Sequence, residues 1–179
     1  MLIDNMMTFH KGQYKNKSQA RPLDYSQLEN MTDDWHYVHQ QILQEFRMSE
    51  AIARQWLEDA STTAAMKNHA AHMALISRKV SLQGVPGYED IGYDDWAAQT
   101  LHEFETNVLK SVSYKGFKLI KTTGTHIMFK TFETVEANDG TINAQGIEIL
   151  LEKEPDGEWR LVQERILPED EARHDGLIS

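Results

Sequence analysis

Apolar side chains recur at helical spacing from Trp35 onward, where Trp35, Val38, Ile42 and Phe46 follow at intervals of three and four. Thr32 with Asp33 and Asp34 predicts the start of that helix, because side-chain oxygens there satisfy free N–H groups and the positive dipole end. The stripe predicts an end near Met48. Ser49 predicts the cap of a second helix carrying Ile52, Trp56 and Ala60, and a third stretch over residues 63–76 puts Met66, Ala70 and Met73 on one side. After Ser77 the period changes to two: residues 79–82 alternate like a half-buried strand, which Gly84, Pro86 and Gly87 interrupt. Gly92 then precedes a fourth helix, with Asp94 and Asp95 at its positive end and Tyr93, Ala97, Leu101, Phe104 and Val108 on its inward face.

Residues 111–167 read as four antiparallel strands, over 111–121, 125–136, 142–153 and 158–167. Asn138-Asp139-Gly140 and Pro155-Asp156-Gly157 carry the reversals, because each supplies a residue tolerant of positive φ and a side-chain cap. Helices followed by a long meander predict an α+β fold, with the helices packed on one face of a mainly antiparallel sheet. Residues 1–30, without sustained period and rich in Asn, Gln, Ser and Lys, read as a flexible arm. Residues 31–167 form one predicted domain, and 168–179 a fraying acidic tail.

Composition changes the picture by exclusion. The 179 residues include no cysteine, which removes disulfides, thiolate metal sites and thiol nucleophiles, and fits a reducing, cytoplasmic setting. No apolar run is long enough to span a membrane. The net charge of −10 concentrates after residue 30, where 14 basic residues face 25 acidic ones, so the body repels phosphate backbones and nucleic acid is not an expected partner.

The order of elements, the helix opened by Gly92, and the closing turn and strand Asp156-Gly157-Glu158-Trp159-Arg160-Leu161-Val162 resemble the nuclear transport factor 2-like superfamily over about residues 50–167. That superfamily includes ketosteroid isomerase, scytalone dehydratase and SnoaL-like polyketide cyclases. The resemblance implies a strongly curved sheet wrapping the helices into a cone-shaped pocket for a small apolar organic ligand. It also implies no cofactor, and a homodimer through the outer sheet face, for which the apolar residues on both faces of 125–135 are a second motive. The isomerase relatives' phenol and two carboxyl groups correspond to Trp56, Gln83 and Ile149 here, none of which can exchange a proton at neutral pH. Glu148 would replace Ile149 only by a one-residue slip, which would turn Ile147, Ile149 and Leu151 out of the core.

Other residues must therefore carry any chemistry. His126, within an apolar strand, is the first candidate base and His72, on the third helical stretch, the second. The pairs His36/His39 and His69/His72 have helical spacing but no third ligand, so no metal is expected. Tyr88, in the Gly- and Pro-rich loop, either touches a ligand or covers the core edge. Glu164 and Arg165 alternate, so one of them faces inward and marks the site. Trp56, Gln83, Tyr88, Glu148 and Glu164 are thus the candidate ligand-binding residues. The expected function is small-molecule binding, with isomerase-, dehydratase- or cyclase-type proton transfer; the alternative is a non-catalytic binding or dimerisation module with a plugged pocket.

Overall fold

The computed structural model describes residues 26–178, with side chains from Trp35 onward, so most of the predicted arm lies outside the described residues. The chain divides into two compact units, residues 1–42 and 43–179. Helix α1 runs over Ser26–Ala65. Two sequence expectations fail here: Thr32 does not start the helix, and Ser49 does not start a second one. Between Pro22 and Gly84 there is no glycine or proline to break a helix. Ser49 is instead a buried helical residue whose hydroxyl bonds Thr122. Without a reversal there, the expected inward stripe of Trp35, Val38, Ile42 and Phe46 remains exposed.

The break comes at Lys67, whose φ of 51° is left-handed, and Asn68 caps the short helix α2 (His69–Ala74) by accepting from the Ala71 N–H at 3.1 Å. The sheet then begins with β1 (Ile76–Gln83). Helix α3 (Tyr93–Glu105) starts at Gly92, as the sequence predicts. Its buried residues are Thr100 and Phe104, whereas Leu101 and Val108 are exposed. Strands β2 (Leu109–Thr122), β3 (His126–Ala137), β4 (Ile142–Lys153) and β5 (Trp159–Ile166) form the expected antiparallel meander. Gly140 and Gly157, at φ of 88° and 89°, supply the tight turns between β3 and β4 and between β4 and β5. The sheet order is β1-β5-β4-β3-β2, with β1 parallel to β5.

In the larger unit, Ala53, Trp56, Leu57 and Ala60 of α1 pack on Ile127, Phe129, Ile147, Ile149, Leu151 and Leu161 of the sheet. Alternation puts Ile127, Phe129, Thr131, Glu133 and Val135 of β3 on this inner face. Three bulges in β2, between Leu109 and Ser111, Lys115 and Lys118, and Leu119 and Lys121, interrupt that strand's alternation and bend it. A further bulge leaves Val162 unpaired, since Leu151 faces Leu161 while Leu150 faces Gln163.

The segment expected to fray forms helix α4 (Glu169–His174) on the outer face, with Ala172 buried against Gly146. An ion network fixes it: Lys130 bonds Glu171 at 2.7 Å and Asp175 at 2.6 Å, and Arg165 joins Glu171 at 2.8 Å to Glu148 at 3.2 Å. Arg165 and Lys130 hold the Glu171 carboxyl down at about 2, and Lys118, which also bonds Asp175, does the same with Lys130 for Asp175. The outer face of β3 is therefore not uniformly apolar; Met128 and Phe132 flank a buried lysine.

Candidate active site

Inside the larger unit, α1, α2, α3 and the inner sheet face enclose a cavity of about 130 Å³. Small residues create the space, because Ala60 and Ala64 stop short of the sheet where longer side chains would meet it. Trp56, Trp96, Phe104, Val112 and Val135 form apolar walls. Into this cavity project Glu164 from β5, Glu133 from β3, Tyr114 from β2, His72 from α2, and Thr100 and Glu103 from α3.

Glu164 is only 7% exposed, and no hydrogen bond or ion pair reaches its carboxyl among the described residues. Burial, reinforced by neighbouring Glu133, pushes its pKa well above the ordinary carboxylate value. Glu133 is also raised by burial, but hydrogen bonds from Gln145 and Tyr114 oppose that rise. The two carboxyls differ in that burial raises Glu164 with no opposing hydrogen bond, whereas Glu133 has donors that favour its ionised form. Burial and the two glutamates push the Tyr114 phenol well above its usual value, so it stays a donor.

Burial, with a smaller contribution from His69, pushes His72 down to about 4, against an opposing hydrogen bond to Ala60. Its Nδ1 lies 2.9 Å from the Thr63 hydroxyl, which donates its own proton to the Asp59 carbonyl at 2.7 Å. With the Thr63 proton on the Asp59 carbonyl, the hydroxyl accepts from His72 Nδ1–H, the tautomer that leaves Nε2 as the basic nitrogen. The cavity thus holds two carboxyls that release their protons less readily than usual, a phenol and a neutral imidazole, a set able to give and take protons.

Outside lies an open groove of about 700 Å³, lined by Leu82, Tyr88, Asp90, Ile91, Asp95 and Gln99. Trp96, Thr100 and Glu103 line both the groove and the inner cavity, so α3 is the wall between them.

The structure brings together only some of the residues singled out by sequence. Glu164 and His72 meet in the cavity. Trp56 lines it, but its indole N–H is committed to the Leu75 carbonyl at 3.1 Å, and Tyr88 lines the outer groove. His126 lies on the outer sheet face, exposed, with Nε2 3.4 Å from Glu152 and Nδ1 2.9 Å from the Thr125 hydroxyl. Parity requires this, because Ile127 and Phe129 face inward. Gln83 also turns away, bonding Ser81 at 3.2 Å, and Glu148 sits in the outer ion network with Arg165. No slip occurs, so Ile149 stays in the core opposite Glu164. Sequence reasoning missed Glu133, Tyr114 and Glu103. Glu133 was within reach, since it continues the inward alternation Ile127-Phe129-Thr131.

Among the described residues no group of three or more His, Asp or Glu has an arrangement that could hold a metal ion, and no helix is long and apolar enough to cross a membrane. No protein-family model matches the chain, and no curated protein matches it in sequence. Solved structures do match its fold. A scytalone-dehydratase-like protein from Novosphingobium aromaticivorans superposes with a TM-score of 0.56 at 12% identity, over 69% of this chain and 86% of that one. A ketosteroid-isomerase-like protein from Shewanella frigidimarina gives 0.52 at 14% identity, over 66% and 97%. A nuclear transport factor 2-like protein with a cystatin-like fold, also from N. aromaticivorans, gives 0.53 at 14% identity, over 80% and 94%. Helices cradled by a mixed sheet of this order, around an inner cavity, identify the architecture: the chain has the nuclear transport factor 2-like fold.

Proposed function

We propose that the protein binds a small organic molecule in the inner cavity and moves a proton on it without a cofactor, with Glu164 holding the ligand's polar group, Glu133 as base and His72 as auxiliary base. The observation that carries this reading is Glu164: a buried carboxyl, without a hydrogen-bond partner, facing a cavity beside a second carboxyl. The carboxyl makes no structural contact and opens onto the cavity, which is the mark of a group kept for a ligand. Largely apolar walls suit a compact, mostly apolar body. The solved structures of like fold include dehydratase- and isomerase-like proteins, which supports proton-transfer chemistry by analogy of fold. Homodimerisation through the outer face belongs to the same proposal, supported by exposed Ile142 and by half-buried Met128 and Phe132 on that face. Light scattering returning a monomer of 20.6 kDa at micromolar concentration refutes that part.

The cavity test uses a panel of compact molecules of about five to seven non-hydrogen atoms, since a cavity of about 150 Å³ accommodates benzene. Binding is read from the indole N–H resonances of Trp56 and Trp96, and proton transfer from deuterium uptake by panel members in heavy water. Ala64→Leu fills the space without touching a polar group and should abolish the shifts. Glu133→Gln should lower any exchange rate by about 100-fold. If no panel member moves either resonance, the reading fails. The second reading, a plugged non-catalytic module, draws support from a volume below the roughly 300–1,000 Å³ of typical ligand sites. Binding without deuterium uptake by any panel member would favour it.

A further inference from the structure

We propose that the occupant of the inner cavity is a small organic cation, a primary ammonium on a compact apolar body, whose nitrogen pairs with Glu164 and Glu133. This rests on the reading that the cavity is the ligand site, and adds the class of ligand. The charged lining of the cavity is acidic throughout, from Glu103, Glu133 and Glu164, and the groove outside α3 adds Asp90 and Asp95. No lysine or arginine lines either space. An acidic cluster alone would mean little, but Glu164 is more than nine-tenths buried and has no partner among the described residues.

Each class of ligand meets this site differently. An anion would be repelled by every charged group it passed. A neutral molecule would leave the carboxyl pair without a counter-charge. An ammonium supplies N–H donors for both carboxyls in charge-assisted hydrogen bonds, while the faces of Trp56, Trp96, Phe104 and Tyr114 favour positive charge. The groups around Glu164 are Glu133 from β3, Tyr114 from β2, His72 from α2 and Glu103 from α3. None of them competes as a cation, because His72 is neutral at physiological pH. The acidic groove also raises the local concentration of cations at the mouth. Binding exchanges the Glu164 proton for the ammonium, and that proton passes to the buffer.

Isobutylamine, isobutanol and isobutyrate are nearly isosteric and small enough for the cavity, and each is titrated into the full chain at pH 8 while the Trp56 and Trp96 indole signals are followed. The expected result is at least tenfold tighter binding of isobutylamine than of isobutanol, no shift with isobutyrate, and proton release seen as a buffer-dependent heat. Glu164→Gln, shown by its melt to be folded, should bring the amine down to the affinity of the alcohol. Asp94→Asn, which removes one exposed charge of α3 away from both spaces, should leave the preference intact. Equal or tighter binding of isobutanol overturns the inference while leaving the cavity reading standing. So does an amine preference that survives Glu164→Gln, or one that Asp94→Asn removes equally well. If the wider panel binds but isobutylamine does not, the cationic class falls alone; if nothing binds, the cavity reading falls with it.

Discussion

Replacing Glu164 by Gln keeps the shape of the side chain and removes its ability to ionise, so it isolates the cost of a buried charge. In the parent, burial and Glu133 hold the carboxyl protonated in the folded chain over a range in which the unfolded chain, with an ordinary value near 4.5, has already released the proton. A folded-state value raised in this way favours folding fully below about pH 4.5. That advantage is lost as pH rises towards and through the raised value. Gln keeps the cost of a polar head without a partner, so the two proteins differ by the further cost of ionising the carboxyl, on the order of 1–3 kcal/mol. The variant should therefore match the parent near pH 4.5 and exceed it by about 1–3 kcal/mol at pH 8. For a chain of this size that is about 3–10 °C in Tm. Circular dichroism melts of both proteins at the two pH values measure it. A Tm difference that is the same at both, or a variant that melts below the parent at pH 8, would refute the account of Glu164 as a buried, unpaired carboxyl.

Further expectations concern His72, Lys130 and Gly146. The imidazole C–H resonances of His72 should stay still from pH 8 to 5.5 and move only towards about 4; a midpoint near 6.5 would show that the ring is not held neutral by burial. Because that folded value lies below the unfolded one, His72 contributes stability present above about pH 6.5 and lost as pH falls towards 4, and His72→Gln should flatten this limb of a pH–stability curve. Lys130→Ala removes one of two cations from each of Glu171 and Asp175, leaving Arg165 and Lys118 in place, and should lower stability in urea unfolding at pH 7 by an amount that shrinks as pH falls from about 4.5 towards 2, where both carboxyls protonate. Gly146→Ala places a Cβ 2.7 Å from that of Ala172, so it should lift α4 at a cost of about 1–3 kcal/mol, visible as faster amide exchange over 169–174.

The sheet was legible because its signals are local. Asp139 and Asp156 cap their turns at the Thr141 and Glu158 N–H groups, at 2.8 and 3.1 Å, and each lies in a short motif with one good solution. The alternation of Glu164 and Arg165 showed that one had to face inward. The rest of the site depended on register. Tyr114 precedes a bulge, so the inward parity of β2 cannot be counted through to Phe117 and Leu119, and only pairing with β3 sets Tyr114 opposite Glu133. His126 misled for the opposite reason: both parities of its strand carry apolar residues, and only the packing of Ile127 and Phe129 on α1 decides the face. The helix boundary at Ser49 failed because a good capping residue does not oblige a helix to start when no breaker precedes it.

The unpaired Val162 has a consequence for the sign of the cavity's charge. With Leu161 anchored in the core, a strand of unbroken alternation would send Gln163 and Arg165 inward and leave Glu164 outside with the ions of α4. One additional residue reverses that parity, so a carboxyl meets the cavity and the guanidinium serves as an outer clasp. Whether this interior attracts cations or anions is thus set by backbone counting as well as by which residues the strand contains. A related chain could invert its preference through a single insertion or deletion in β5 while every charged residue remained the same.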